Sequence, residues 1–402
     1  MKIPRFYDNL GKYLKPNKVL LIFGPRRIGK TTLLNDFLAK CKLKYKLDSG
    51  DNVKTREILS SQDFDILKKY AAGYDLIAVD EAQRIPNVGY GFKILVDQIP
   101  NLKIIATGSS SFELLGQVGE PLTGRKTTIA LYPISQLELS SLYNRHELEG
   151  QIADRLVFGG YPEVIVSEID KNRQETIGSA ISTGPSLVFG GDKKESRRKI
   201  LEEIINSYLL KDILELDRVK GSKLLLDLLR LISFQVGQEV SLSELGRQLG
   251  IDRKTVGRYL DLFEKSFVLY NLRGYSRGNL RKEITKKSKY YFYDNGVRNA
   301  VISNFNELNL RDDVGVLWEN FLVIERLKRN SYREIFSNNY FWRTWDQKEV
   351  DFVEERDGRL FGFELKWGSR GAAKASKNEW RAVYPEASLE TVNLENFFDF
   401  IS

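Results

Sequence analysis

The sequence predicts an α/β protein. A parallel sheet flanked by helices comes first, then a helical and helix-turn-helix region, then a C-terminal α+β domain. Three observations predict it. The apolar run 19–23 leads through Gly24-Pro25-Arg26-Arg27-Ile28-Gly29-Lys30-Thr31-Thr32 into the helix-like stretch 33–40, which is the strand, glycine-rich loop and helix of the phosphate-binding pattern G-x-x-x-x-G-K-[ST]. A second apolar run, 76–79, ends in Asp80-Glu81 and reads as a buried parallel strand. The last hundred residues carry short alternating strands in place of strand–helix repeats. A chain of 402 residues has room for several domains. The borders read as 1–140, 141–232 with an inserted loop at 178–192, 233–300, and 301–402.

Each residue of the first motif has a chemical reason. Gly24 and Gly29 permit the tight turn and the close approach of main-chain N–H groups to phosphate oxygens, with Pro25, Arg26, Arg27 and Ile28 completing the loop. The helix start adds positive potential. Lys30 would reach the β- and γ-phosphates and the Thr31 hydroxyl would ligate Mg²⁺, with Thr32 at the helix start. The strand ending in Asp80 and Glu81 delivers two carboxylates to the edge where open α/β sheets bind ligands. Asp80 would hold Mg²⁺ through water and Glu81 would polarise the attacking water. A further strand, 102–107, ends at Gly108-Ser109, so Thr107 or Ser109 is the candidate sensor of the γ-phosphate, a helix cap being the alternative. Arg125 could stabilise transferring phosphate charge, in its own subunit or a neighbour.

Taken together, Gly24 to Thr32, Asp80 to Gln83, Thr107 to Ser110 and Gly124-Arg125 resemble the AAA-type ATPases of bacteria and archaea. The resemblance covers the whole first domain. It implies ATP and Mg²⁺ as cofactors, ATP hydrolysis, and a homo-oligomer of hexamer-like ring form.

The middle region has helical spacing. Leu156-Val-Phe-Gly-Gly160 recurs as Leu187-Val-Phe-Gly-Gly191 inside the Gly/Ser-rich insertion, and two short copies do not make a repeat architecture. Residues 208–212 again resemble the same family. Residues 241–265 read as helix, glycine-containing turn and helix, with Asp252 able to cap the second helix. With the strands at 267–270 and 289–293 this predicts a winged helix. Arg253, Lys254 and Arg258 lie toward the N-terminal half of the helix that would enter a DNA groove. Arg273, Arg277, Arg281 and Lys282 would clamp phosphates from the hairpin, with little regard to base sequence. A protein-docking module is the alternative use of such a fold.

In the last region a helix carries Glu319, and strands carry Asp351, Glu364 and Lys366, with Asp357-Gly358 as the turn between the last two. Alternation puts Glu364 and Lys366 on one face. These residues resemble the restriction-endonuclease-like superfamily, pattern D…E-x-K. That resemblance implies a nuclease site in which Asp351 and Glu364 ligate Mg²⁺, Lys366 orients water and Glu319 joins from the helix. The ATPase family named above carries such a domain, and branched or Holliday-junction DNA is the substrate that analogy with junction resolvases implies. The functional expectation is an ATP-driven enzyme that binds and remodels or processes DNA. Its rival is a nucleotide-dependent switch that binds a protein partner.

Composition bounds these readings. A net charge of +8 permits polyanion binding. Cys41 alone excludes an intramolecular disulfide, and with His146 as the single histidine a Cys/His zinc site is excluded. The start of the chain lacks a signal-peptide pattern and no window is apolar enough for a membrane span, so a cytoplasmic location without membrane contact is expected.

Overall fold

A computed structural model describes residues 3–109, 121–168, 193–209, 222–275, 288–344, 346–368 and 374–402. The first sheet holds β1 (Lys18–Phe23), β2 (Tyr45–Ser49), β3 (Leu76–Asp80), β4 (Lys103–Thr107) and β5 (Lys126–Ala130). They run in the order β2-β3-β4-β1-β5, with every pairing parallel. The apolar runs are explained by burial on both faces. Leu20 and Ile22 of β1 enter one core with Leu33 and Leu34, while Val19, Leu21 and Phe23 enter another with Phe92 and Leu95. Helix starts obey side-chain chemistry. Asn52 caps Val53–Ser60, Asp63 caps Phe64–Ala71, and Ser135 with Glu138 forms a capping box on Gln136–Leu139.

The second sheet holds β6 (Leu269–Gly274), β7 (Ser288–Phe292), β8 (Asn338–Arg343), β9 (Glu349–Arg356), β10 (Arg359–Leu365) and β11 (Ser388–Val392). Its order is β11-β10-β9-β8-β6-β7. The tight turn expected between β9 and β10 is present, with φ of 50° at Asp357 and 73° at Gly358, as a two-residue hairpin turn requires. The strands read as a wing, β6 and β7, do not end a separate unit. β6 pairs in parallel with β8 through Arg273 with Tyr340 and Gly274 with Phe341, so the border read at residue 300 falls within one sheet. Alternation identifies a strand but not the edge it will meet. The regions also share one apolar core, which includes Leu34, Leu228, Phe263, Trp318 and Phe363.

The first Leu156-Val-Phe-Gly-Gly160 copy has a packing explanation. Gly159, at φ 73° and ψ −156°, is in a region open essentially to glycine, and a Cβ there would lie 2.1 Å from Asp294 Oδ1. Gly160 N donates to Asp294 Oδ2 at 2.6 Å. Asn299 Nδ2 donates to the carbonyls of Leu156 and Val157 at 3.0 and 2.8 Å, satisfying the end of helix Ile152–Phe158. The second copy and the insertion 178–192 lie outside the described residues. Among the described residues no helix is long and apolar enough to cross a membrane.

Candidate functional site

A cleft of about 740 Å³ opens at the C-terminal edge of the first sheet, within the roughly 300–1,000 Å³ range of ligand sites. One wall is the phosphate-binding loop from Arg26 to Thr32. Ile3, Arg5, Ile134, Pro162 and Val166 also line it. The loop leaves β1 at Gly24, whose φ is 143° and whose Cβ would stand 2.0 Å from the Leu131 carbonyl oxygen. Gly29 caps helix Lys30–Leu38. Lys30 is buried, and its Nζ donates to the carbonyls of Gly24 and Pro25 at 2.9 and 2.7 Å. Arg27, at φ 61°, pairs with Glu163 at 3.1 Å and Glu203 at 2.9 Å.

The expected acidic pair meets this loop. Thr31 Oγ1 donates to Asp80 Oδ2 at 2.9 Å, and Thr107 Oγ1 donates to the other oxygen, Asp80 Oδ1. Glu81 comes next in a left-handed conformation at φ 50°. Its N–H donates to Thr107 Oγ1 at 3.3 Å and its Oε2 accepts from Gln83 Nε2 at 2.6 Å. Thr107 therefore positions both acids, and Ser109 is buried beside it in sequence. Hard oxygen donors from a hydroxyl and a carboxylate, beside a buried lysine, fit Mg²⁺ with a polyphosphate.

Arg125 is not brought to this cleft. It precedes β5 at the opposite edge of the sheet, where its carbonyl accepts from Val19 N at 2.9 Å and its Nε pairs with Asp97 Oδ1 at 2.6 Å. Five residues of strand, roughly 16 Å, separate it from the phosphate-binding edge.

The helix-turn-helix reading is matched by helices Leu242–Leu249 and Arg253–Lys265, joined through Gly250 at φ 67°. Asp252 accepts from Lys254 N at 2.8 Å and Thr255 N at 3.0 Å. Val256, Tyr259, Leu260 and Phe263 are buried, which leaves Arg253, Lys254 and Arg258 exposed. Arg273 is exposed on β6. Arg277, Arg281 and Lys282 lie outside the described residues.

The C-terminal cluster converges. Lys366 Nζ is 3.1 Å from both Asp351 Oδ2 and Glu364 Oε2, and Asp351 Oδ2 also accepts from Leu365 N at 2.8 Å. Glu319, on helix Val314–Tyr332, accepts from Tyr291 Oη at 2.7 Å and stands 3.9 Å from Lys289 Nζ. Lys289, 1% exposed, is ion-paired with Glu349. Burial pushes the Glu319 carboxyl up to about 7, with the Lys289 ammonium opposing and the Asp351 charge adding to the rise. Burial and then Asp351 raise Glu364, against the pull of Lys366. Burial alone would lower Lys366, yet the two carboxylates hold it above its usual value. Among the described residues no three His, Cys, Asp or Glu side chains are gathered to hold one metal ion. The two carboxylates already share one cation, the Lys366 ammonium. As placed, this cluster does not fit a resident Mg²⁺.

Sequence reasoning missed Lys289 and Tyr291. Alternation along 289–293 puts both on one face, but nothing local says that this face meets Glu319. It also missed Arg5, which lies outside every motif.

Comparison with known proteins places the first domain. Residues 16–140 match a family described as "AAA domain". Residues 185–308 and 314–391 match two described only as domains of unknown function, DUF8612 and DUF4143. An uncharacterized protein of Mycobacterium tuberculosis is 28% identical over 354 residues, covering 87% of this chain and 70% of its own length. One from Haemophilus influenzae is 26% identical over 375 residues, covering 87% and 83%. Among solved structures, AMPPCP-bound DnaA from Aquifex aeolicus gives a TM-score of 0.30 at 18% identity, over 64% of this chain and 84% of that one. The Thermotoga maritima RuvB Holliday junction branch migration motor gives 0.29 at 17%, over 63% and 81%. At those TM-scores the likeness carries no argument. Residues 16–140 are thus similar to an AAA domain, and the geometry of the loop agrees with that likeness.

Proposed function

We propose that this chain is a Mg²⁺-dependent ATP hydrolase that binds DNA and uses turnover to remodel or process it. The observation that carries the first half is the 2.9 Å contact between Thr31, which lines the cleft, and Asp80, with Glu81 next in the chain. When bound, Mg²⁺ would neutralise the β- and γ-phosphate charge. Thr31 and Asp80 would hold it. The Lys30 ammonium, which rests on two loop carbonyls, is the group that would turn to the phosphate oxygens. Glu81, steadied by Gln83, would accept a proton from the attacking water. Arg125 is too far from its own cleft to act there, so any role for it at phosphate requires a second copy. A homo-oligomer, a hexamer-like ring, belongs to the same proposal as the arrangement in which Arg125 could reach a phosphate.

The exposed Arg253, Lys254 and Arg258 face supports the DNA half. Neutralising Arg273, Arg277, Arg281 and Lys282 together should weaken DNA binding similarly across sequences. It should also flatten the dependence on salt by up to about 0.9 in slope for each phosphate that is no longer neutralised. Fluorescence anisotropy on duplex DNA over a salt series measures this, and unchanged affinity would move the DNA surface elsewhere. The deciding experiment for the whole reading is ATP turnover with and without duplex, single-stranded and four-way DNA. Stimulation by four-way DNA above the others supports the Holliday-junction substrate. Absence of DNA binding at low salt, with one protein co-purifying, would favour the partner-binding switch instead.

A nuclease at Glu319, Asp351, Glu364 and Lys366 is left out of this proposal, because the Lys366 ammonium already lies 3.1 Å from both Asp351 Oδ2 and Glu364 Oε2. The chain should therefore cut neither linear nor branched DNA in Mg²⁺ or Mn²⁺, as read on gels. Cleavage that Asp351→Ala abolishes would restore the nuclease.

A further inference from the structure

Arg5 carries none of the roles above, yet its guanidinium joins three parts of the chain. Its side chain is 7% exposed. Nε donates to Glu138 Oε1 at 2.8 Å, Nη1 to the Ile28 carbonyl at 2.7 Å and Nη2 to the Tyr132 carbonyl at 2.6 Å. Glu138, whose side chain is fully buried, also accepts from Phe6 N at 3.0 Å and from Tyr332 Oη at 3.3 Å. Phe6 stacks on the Tyr332 ring with centroids 4.9 Å apart. The anchor of Arg5 is therefore built from both the N-terminal segment and the end of the helix that carries Glu319.

The Ile28 carbonyl shares its peptide unit with the Gly29 N–H. A peptide unit is planar and trans, so the direction of its C=O sets the direction of that N–H. Gly29 stands at φ 90° and ψ 23° at the start of helix Lys30–Leu38. With no Cβ on Gly29, little steric hindrance opposes rotation of the Ile28–Gly29 peptide. A charged donor on the Ile28 oxygen does oppose it, since charge-assisted hydrogen bonds are roughly twice as strong as neutral ones.

We infer that Arg5 is a positioning residue for the phosphate-binding loop. It holds the Ile28–Gly29 peptide in the orientation that presents its N–H to phosphate, and it is itself held by Glu138 and Tyr332. This rests on the reading of the cleft as a Mg·ATP site. A purely structural role for Arg5 would lower stability and leave the affinity of the folded chain for both ligands unchanged. A loop-positioning role acts on phosphate recognition alone.

Calorimetric titration of the full chain with Mg·ATP and with Mg·tripolyphosphate separates these. The variants are Arg5→Lys and the double variant Arg5→Met with Glu138→Gln, which avoids leaving a buried carboxylate unpaired. The double variant should bind both ligands at least about tenfold more weakly, ~1.4 kcal/mol, and by the same factor. Arg5→Lys keeps the ion pair but cannot reach three acceptors, so its loss should be intermediate and again equal for both ligands. A loss confined to ATP would place the effect at the base and overturn the proposal, as would unchanged affinity for both. If circular dichroism shows the double variant unfolded, Arg5→Lys decides by the same comparison. If the wild-type chain binds neither ligand, it is the Mg·ATP reading that fails, and the role of Arg5 falls with it.

Discussion

Glu81→Gln should bind Mg·ATP within a few-fold of wild type and yet hydrolyse it about 10²–10⁴-fold more slowly, the range expected when a general base is removed. Binding survives because the contacts to phosphate and metal come from the loop, Lys30, Thr31 and Asp80. Glutamine is also nearly isosteric with glutamate and keeps an oxygen that can accept from Gln83. It cannot, however, take a proton. Lys30→Ala should differ in kind. The buried ammonium held by the Gly24 and Pro25 carbonyls is the group that would turn to the phosphate oxygens, so its removal should abolish detectable binding as well as turnover. Phosphate release and titration with a fluorescent ATP analogue separate the two results. Normal turnover by Glu81→Gln would remove Glu81 from its assigned role.

Arg326→Ala should destabilise the chain by up to about 3–5 kcal/mol, the cost of breaking a buried ion pair, with Arg356 Nε, 3.3 Å from Glu354 Oε2, as a remaining cation. Glu354 on β9 is completely buried. It accepts from Arg326 Nε and Nη2, both at 2.8 Å, and from Asn330 Nδ2 at 2.7 Å. Arg326 also donates to the Phe400 carbonyl. Burial by itself would raise the Glu354 carboxyl, but the Arg326 hydrogen bonds and charge, with Asn330, hold it below its ordinary value. Stability from this depressed group is fully present above the unfolded carboxyl value of about 4.3 and drains away as pH falls through the lower folded value. The gap between wild type and Arg326→Ala in urea midpoint should therefore be largest near neutral pH and narrow below about pH 4. Arg326→Met with Glu354→Leu should recover much of the stability, because an apolar pair needs no charge compensation. A gap that does not narrow in acid would show that the cost comes from poorer packing around Phe363 and Phe400, not from charge.

The sequence by itself determined whatever rests on local chemistry and period. The loop from Gly24 to Thr32 stands between a strand and a helix, and Asp80-Glu81 ends a buried strand against it. Asp357-Gly358 turns β9 into β10, and Asp252 starts the helix that exposes Arg253, Lys254 and Arg258. The convergence of Asp351, Glu364 and Lys366 was also legible, since one short turn and a period of two leave those strands little choice of register. Only the tertiary structure decided what depends on residues far apart in the chain. The supposed wing became part of the C-terminal sheet because β6 met the edge of β8, and this brought Lys289 and Tyr291 to Glu319. Asp294 locked Gly159 and Gly160, Arg125 fell at the far edge of its sheet, and Arg5 reached the loop from 23 residues away. Side-chain period tells which face of a strand or helix is apolar. Which edge or face it meets is set by the competition among all the others for burial, and no single stretch of sequence carries that information.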